Sequence, residues 1–158
     1  MIQPVAQSVC VVARFSSLPQ LLASLSTSAV APDHVLPYLR AQMAVEELFV
    51  NTIQHGYGQE SDQPAWLTVE QCGAVLRVVY SDQSDAFDTL ALRSTALDDV
   101  EAKRSDPAPG GFGLLLVASL ASQCQYARQA GRNVTQLEFA LAPASKLTPP
   151  VPVHPKQR

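Results

Sequence analysis

The amino-acid sequence predicts an α+β fold, a two-layer sandwich in which helices cover one face of a mixed, mainly antiparallel β-sheet. Three observations lead to this fold class. Two pairs of short apolar segments are each joined by a glycine turn, which is typical of β-hairpins. A long segment with helical spacing of apolar residues precedes the first hairpin, and another apolar segment precedes the last one. Hairpins separated by helices favour an α+β sandwich.

The N-terminal third of the chain predicts one strand and two helices. Residues Ser8 to Phe15 are mostly apolar or β-branched, which predicts a strand. Pro19 occupies a position that the first turn of a helix tolerates, so a short helix is predicted from Leu18 to about Ser26. A longer helix is predicted from about Val35 to His55, ended by the glycines that follow it. Part of its expected apolar set is Leu36, Leu39, Met43, Leu48 and Phe49.

The rest of the chain predicts two hairpins and two more helices. The first hairpin turns at Cys72-Gly73 and the second at Gly131-Arg132. A polar region rich in Asp, Ser and Pro lies between the hairpins and is expected to contain some helix. The predicted elements are, in chain order, strands 66–71 and 74–81, helices around 90–103 and 114–123, and strands 125–128 and 134–141.

The chain is expected to form one domain. Its length leaves room for a single hydrophobic core, which we place in residues 1–142. Residues 143–158 are rich in proline and show no periodicity, so we expect a disordered tail. The three widely spaced cysteines form no Cys-x-x-Cys pair, and neither a zinc site nor a disulfide framework is expected for Cys10, Cys72 and Cys124.

The composition indicates a soluble globular protein and argues against several function classes. Hydrophobic residues make up 47% of the 158 residues, whereas disordered chains are poor in them. The formal net charge is −3 and the basic residues are scattered, which argues against direct nucleic-acid binding through a basic surface. No apolar segment approaches the roughly 20 residues of a membrane span, and no signal peptide is visible. We therefore expect a cytoplasmic protein without a membrane partner.

Three groups of residues are candidates for chemistry, and the first lies on the long helix. Glu47, Asn51 and His55 recur every four residues, which places their side chains on one helical face. Such a polar stripe is compatible with a solvated outer surface. It is also what a pocket with a general base beside a hard cation requires, because Mg²⁺ prefers oxygen ligands, although the spacing alone favours the outer surface.

The other two groups follow the first hairpin. Asp82 lies where a predicted strand runs into a loop, a common place for a ligand-contacting carboxylate and also for an ordinary turn. Gly110, Gly111 and Gly113 immediately precede an apolar helix. Exposed backbone N–H groups at a helix N-terminus bind phosphate, although a flexible hinge would have the same composition.

Taken in order, these groups resemble the motifs of the histidine-kinase/gyrase ATPase superfamily (GHKL). That superfamily combines an acidic-amide helix, a strand-end aspartate and two glycine boxes. The resemblance covers about Val11 to Leu141 and rests on the strings ELFVNTIQHGY, DQSDAFD and GGFGLLLV. Within the superfamily, the sequence is most similar to the small serine-protein kinases that act as anti-sigma factors. The resemblance implies a Bergerat-type ATPase fold that binds ATP and Mg²⁺.

The resemblance also implies roles for individual residues. Glu47 would be the general base on the attacking serine or threonine hydroxyl, and Asn51 would coordinate the Mg²⁺ that bridges the ATP phosphates. Asp82 would accept a hydrogen bond from the adenine amino group, with Asn133 or Thr135 supporting the base through water. The residues expected to contact the nucleotide are Asn51, His55, Asp82, Ser84, Phe87, Gly110, Gly111, Phe112, Gly113, Leu114 and Thr135.

The sequence departs from the superfamily pattern at one position. The first glycine box should read Asp-x-Gly, and Ser84 stands where that glycine is expected. A side chain there is expected to crowd the nucleotide or to resist a positive-φ backbone, which costs a non-glycine residue about 1 kcal/mol or more.

The function implied by the resemblance is partner switching. Such a kinase sequesters a sigma factor and phosphorylates a STAS-type anti-anti-sigma protein on serine or threonine. The unphosphorylated STAS protein competes for the kinase and frees the sigma factor. We also expect a homodimer, as related kinases form. The alternatives are a binding-only module that has lost phosphotransfer, a kinase that controls a non-sigma target, and a stand-alone histidine kinase catalytic domain.

Overall fold

The computed structural model of the protein describes residues 6–26, 30–86, 116, 117 and 119–141. Short 3₁₀ turns precede both helices, and a π-helical turn follows the second one. The strands and helices are β1 (Gln7–Val12), α1 (Leu18–Ala23), α2 (Val35–Asn51), β2 (Pro64–Cys72), β3 (Val75–Asp82), β4 (Gln123–Gln129) and β5 (Arg132–Ala140).

The five strands form one sheet with the order β1-β2-β3-β5-β4. The hairpins β2–β3 and β4–β5 meet through β3 and β5, and β1 pairs with β2 at one edge. Buried residues alternate along the strands, and they share one core with the buried residues of α1 and α2. The predicted α+β sandwich with helices on one face is confirmed, and every pairing among the described strands is antiparallel.

The other face of the sheet carries polar and charged side chains among small apolar ones. Arg77 lies between two glutamates, with its Nε 3.1 Å from Glu138 Oε1 and its Nη1 3.7 Å from Glu70 Oε2. The Arg132 guanidinium stacks over the Trp66 ring, 3.7 Å from its centroid. An antiparallel sheet accommodates one buried and one solvated face because its side chains alternate.

The buried face of the sheet changes from apolar to polar along β3 and β5. At one end, leucine, valine and phenylalanine side chains pack against the helices. At the other end, where β3 stops and β5 begins, the buried side chains carry hydroxyl, carboxylate and amide groups. The pairs in register are Leu76–Phe139, Val78–Leu137, Tyr80–Thr135 and Asp82–Asn133. Buried polar groups require hydrogen-bond partners, so this end of the sheet is built differently from the core.

Helix α2 buries a different set of residues from the one expected. Leu48 and Phe49 are buried, but Leu36, Leu39 and Met43 are 57%, 43% and 48% exposed. Both sets have helical spacing, so periodicity alone did not separate them. The buried face contains alanines, which let the helix approach the sheet closely. It consists of Pro37, Ala41, Ala44, Val45, Leu48 and Phe49.

Several predicted boundaries are corrected. The first strand ends at Val12 rather than Phe15, where the chain turns into the 3₁₀ segment Phe15–Ser17. The long helix is α-helical to Asn51 and continues as the π-helical turn Thr52–Gly56. The first hairpin turn is Gly73–Ala74, because Cys72 pairs with Val75. The second is Ala130–Gly131, because Gln129 pairs with Arg132.

Some predicted structure lies outside the described residues, namely the helix around 90–103 and the tail 143–158. Residues 116, 117, 119 and 120 are helical, as expected for a helix at 114–123, but Gln123 already begins β4. Among the helices that the structure describes, none is long and apolar enough to cross a membrane.

The β4–β5 turn contains a strained residue that can be tested. Ala130 has φ 47° and Gly131 has φ 79°, so both central residues are left-handed. Such turns favour Asn-Gly, since asparagine tolerates positive φ better than alanine. We predict that Ala130→Asn raises the free energy of unfolding by about 1 kcal/mol. Urea denaturation should show a higher midpoint at unchanged slope.

The control for this prediction is Gly131→Ala, which forces a side chain into the same turn. It should lower the free energy of unfolding by about 1 kcal/mol. An Ala130→Asn variant with an unchanged or lower midpoint would show that the turn conformation costs alanine nothing.

Candidate functional site

The C-terminal half of α2 presents a carboxylate and an amide beside each other. Asn51 Nδ2 donates a hydrogen bond to Glu47 Oε1 at 3.1 Å, across one helical turn. Both residues are half-buried, whereas the neighbouring Glu46 is exposed, as the helical angle predicted. With its amide nitrogen occupied by Glu47, Asn51 has its Oδ1 available as an oxygen ligand.

The π-helical turn Thr52–Gly56 directly follows this pair. Thr52 is buried, and its hydroxyl lies 3.0 Å from the Leu48 carbonyl oxygen and 3.1 Å from Asp82 Oδ2. His55 is exposed and does not line the pocket, because the wider turn breaks the four-residue spacing that connected it with Asn51. Single π-helical turns inside α-helices occur frequently at functional sites.

Asp82 is a buried carboxylate, 5% exposed, that accepts hydrogen bonds from three segments of the chain. Its Oδ1 accepts from the Ser84 backbone N–H at 2.9 Å, from Ser84 Oγ at 2.6 Å and from Asn133 Nδ2 at 3.0 Å. Its Oδ2 accepts from Thr52 Oγ1 at 3.1 Å. Hydrogen bonds of this kind offset the loss of hydration that burying a charge entails.

The side-chain amide of Asn133 is held in one orientation by two donors on strand β4. Its Oδ1 accepts hydrogen bonds from the Tyr126 hydroxyl and from Arg128 Nη1, both at 2.8 Å. Its Nδ2 therefore points toward Asp82 and Ser84. Arg128 Nη1 also donates to the Ser84 carbonyl oxygen at 2.7 Å. Strand β4 thus positions the segment that follows β3, although no sequence motif pointed to it.

A pocket that is partly open to solvent lies between α2, the π-helical turn and the polar end of the sheet. The Thr135 side chain faces this pocket at 3% exposure, and its hydroxyl makes no hydrogen bond with the residues that the structure describes. The lining residues are Leu48, Asn51, Thr52, Gly56, Tyr80, Asp82, Ser84, Asn133 and Thr135.

Tyr80 forms part of the pocket wall and stays neutral. Burial raises the pKa of its phenol well above the ordinary value, and the hydrogen bond with Thr52 opposes this only in part. As a neutral group, the Tyr80 hydroxyl donates to Thr52 Oγ1 at 2.8 Å. Thr52 Oγ1 therefore accepts one hydrogen bond, from Tyr80, and donates its single proton either to the Leu48 carbonyl oxygen or to Asp82 Oδ2.

Ser84 fits into the site because its neighbour is a glycine. A Cβ placed on Gly56 would lie 2.6 Å from Ser84 Oγ and 2.7 Å from Ser84 Cβ, closer than side-chain atoms approach. The expected backbone strain is absent, since Ala130 is the only described non-glycine residue with positive φ. The volume of the Ser84 side chain is accommodated against Gly56, which has no Cβ.

The structure brings together Asn51, Asp82, Ser84 and Thr135 of the predicted contact residues, with Asn133 beside them. Glu47 adjoins them through Asn51. Six further predicted contacts lie outside the described residues: Phe87, Gly110, Gly111, Phe112, Gly113 and Leu114.

Sequence reasoning missed several residues of the site. Tyr80 precedes Asp82 by two residues on a strand, so alternation would have placed it on the same face. Leu48 precedes Asn51 by three on the helix, which is likewise a detectable spacing. Thr52 and Gly56 lie in the site because of the π-helical turn, and Arg128 lies beside it because it pairs with Asn133 across β4 and β5. No residue type marks the π-helical turn or the contact of Arg128 with the site.

Comparison with known proteins gives the following matches. A family model described as "Histidine kinase-like ATPase domain" matches residues 11–139. A crystal structure of the RsbU and RsbW domains of Rv1364c from Mycobacterium tuberculosis aligns with TM-score 0.58 and 17% identity, over 87% of this chain and 32% of that one. The histidine kinase AdeS of Acinetobacter baumannii aligns with TM-score 0.46 and 11% identity, over 87% of this chain and 68% of that one. At these identities the likeness is one of fold. No curated protein matches the chain.

The contact between Gly56 and Ser84 leads to a prediction about stability. We expect Gly56→Ala to lower the free energy of unfolding by about 1–3 kcal/mol, because the added methyl group overlaps Ser84. Ser84→Gly in the same chain should restore most of that loss. Chemical denaturation of the two single variants and the double variant measures the coupling. Strictly additive effects would show that the two positions do not contact each other.

Proposed function

The chain belongs to the histidine kinase-like ATPase domain family, and on that premise we propose that it is an anti-sigma factor and serine/threonine-protein kinase. It binds Mg-ATP, phosphorylates a STAS-type anti-anti-sigma partner and sequesters a sigma factor. The observation that carries this proposal is the juxtaposition of the Glu47–Asn51 pair with the Asp82 pocket. The pair offers groups for phosphoryl transfer, and the pocket offers groups that can bind a nucleotide base.

The pocket suits an adenine base. A buried carboxylate selects a hydrogen-bond donor, and the adenine amino group is one, whereas guanine presents an acceptor oxygen at the same ring position. Thr135 adds a buried hydroxyl without a partner among the described residues, which a bound base or a water would satisfy. Tyr80 and Leu48 supply apolar surface for the ring.

Asn51 and Glu47 suit Mg²⁺ and the transferred phosphate. The amide oxygen of Asn51 is a hard ligand of the type that Mg²⁺ takes together with phosphate oxygens and water. When bound, the ion would neutralise phosphate charge. Among the described residues no cluster of three or more His, Cys, Asp or Glu side chains could hold a metal, so Asn51 would act together with the nucleotide rather than with a preformed cage.

Glu47 is proposed as the general base. Its carboxylate lies one helical turn from Asn51 and is only half-buried, so a hydroxyl of a partner protein can reach it. It would accept the proton of the attacking serine or threonine while the hydroxyl oxygen bonds to the γ-phosphorus and the bond from that phosphorus to the β,γ-bridging oxygen breaks, releasing ADP. The hydrogen bond from Asn51 keeps this carboxylate oriented.

The partners are proposed from the resemblance of the sequence motifs. The STAS protein would be the phosphoacceptor, the sigma factor would be the sequestered protein, and the kinase would form a homodimer. Cytoplasmic location follows from that role. A kinase that controls a different target would use the same pocket.

Two other candidate functions are separated by one experiment. A binding-only module is favoured by Ser84 at a glycine position, and a histidine kinase catalytic domain is favoured by the family. The purified protein, Mg-ATP and a STAS-domain protein from the same organism are incubated, and the phosphorylated residue is identified. Phosphoserine or phosphothreonine supports the proposal, phosphohistidine favours the second candidate, and bound ATP without transfer favours the first.

We predict that Glu47→Gln reduces phosphotransfer at least about 100-fold, because the amide cannot accept the hydroxyl proton. Its affinity for ATP should change by less than about threefold. Glu46→Gln is the matched control, since this neighbouring carboxylate points to solvent. Single-turnover transfer at wild-type rate by the Glu47 variant would remove Glu47 from the role of base.

Asn51→Ala should have the opposite profile. We predict that it weakens Mg-ATP binding about tenfold or more, because an oxygen ligand of the ion is lost. Binding of ATP in the presence of a chelator should differ much less between this variant and the wild type. Equal loss with and without Mg²⁺ would mean that Asn51 contacts the nucleotide but not the ion.

A further inference from the structure

The donors around the Asp82 carboxylate are unevenly divided between its two oxygens before any base arrives. Its donors are Ser84 N–H, Ser84 Oγ, Asn133 Nδ2 and Thr52 Oγ1. Each carboxylate oxygen offers about two lone-pair sites, so Oδ1 with three donors is overfilled, whereas Oδ2 accepts only from Thr52, whose single proton is shared with the Leu48 carbonyl oxygen. A base whose amino group bonds to Asp82 therefore does so at Oδ2, where the Thr52 proton can turn to Leu48.

The four donors differ in their freedom to move. The Ser84 backbone N–H is fixed by the chain, and the Asn133 amide is held by Tyr126 and Arg128. The hydroxyls of Thr52 and Ser84 can rotate without moving the backbone. Thr52 already has a second acceptor, the Leu48 carbonyl oxygen at 3.0 Å, while the nearest alternative for Ser84 Oγ is the Asp85 carbonyl oxygen at 3.5 Å. The Ser84 hydroxyl is thus the rotatable donor that can turn to a new acceptor in the pocket, because Asp82 Oδ1 keeps two other donors.

We propose that Ser84 determines base specificity by donating its hydroxyl proton to the ring nitrogen N1 of adenine. This inference rests on the proposed ATP-binding function. Adenine presents a donor and an acceptor side by side, the amino group and N1. The amino group takes the place of Thr52 at Asp82 Oδ2, and the Thr52 proton turns to Leu48. The Ser84 proton turns from Asp82 Oδ1 to N1.

Every polar group keeps a partner through this exchange. Asp82 Oδ1 retains two donors, the Ser84 N–H and Asn133 Nδ2, and Oδ2 exchanges a hydroxyl for the amino group. Thr52 still accepts from Tyr80. Ser84 Oγ remains within reach of Asn133 Nδ2, 3.1 Å away. The serine at a glycine position is then a ligand of the base, with Gly56 providing the space for its side chain.

The test is a binding cycle of two proteins and two nucleotides. Isothermal titration calorimetry measures the dissociation constants of ATP and of 1-deaza-ATP, in which N1 is replaced by C–H, with Mg²⁺ present. Wild-type protein should bind ATP about tenfold more tightly than the analogue. Ser84→Ala should bind ATP about tenfold more weakly than wild type and should not distinguish the two nucleotides. Ser81→Ala, on the face of β3 opposite Asp82, should behave as wild type.

The outcomes separate this inference from the proposed function. If Ser84→Ala discriminates between the nucleotides as the wild type does, or binds ATP as tightly or more tightly, the role of Ser84 is wrong while ATP binding stands. Equal binding of ATP and 1-deaza-ATP by the wild type has the same meaning. If the wild type binds neither nucleotide, the proposed function and the inference fail together.

Discussion

The burial of the Asp82 carboxylate is the constraint on which the rest of the site depends. An isolated charge at this depth would cost several kcal/mol, so it requires donors with fixed positions. These donors come from the end of α2, the segment after β3 and the start of β5. The carboxylate therefore joins the helical layer to the polar end of the sheet. In the rest of the sheet, hydrophobic packing around Leu137 joins the two layers.

The same constraint links the two halves of the pocket. Thr52 is the first residue of the π-helical turn, and it reaches Asp82 directly after Asn51 in the chain. Asn51 in turn donates a hydrogen bond to Glu47 one helical turn earlier. The Glu47–Asn51 pair and the donors of Asp82 therefore meet at the end of one helix.

The sequence predicts the parts of the site that follow a regular period. Glu47 and Asn51 are spaced by one helical turn, and Asp82 ends a strand whose alternation is visible, so these three residues lie on the elements that the sequence predicts. His55 was grouped with Glu47 and Asn51 because the four-residue period was extended through a π-helical turn that no residue type announces, and it lies outside the described lining of the pocket. Leu36, Leu39 and Met43 were named in the apolar set of α2 because two helical faces carry apolar residues, and only contact with the sheet decides which face is buried. Arg128 was out of reach, since its role arises from a hydrogen bond to the Ser84 carbonyl oxygen, forty-four residues away in the chain.

Ser84 illustrates why a single position is a poor unit for judging a motif. Compared with an expected glycine, serine adds volume and a hydroxyl, which alone indicates a damaged nucleotide site. In the fold, the added volume meets the one residue of the π-helical turn that has no side chain, and the hydroxyl meets a buried carboxylate and a buried amide. The backbone needs no positive φ at this residue, so no strain follows from the substitution. The pair Gly56 and Ser84 is therefore the relevant unit, and a sequence with side chains at both positions would lose the space that Ser84 occupies.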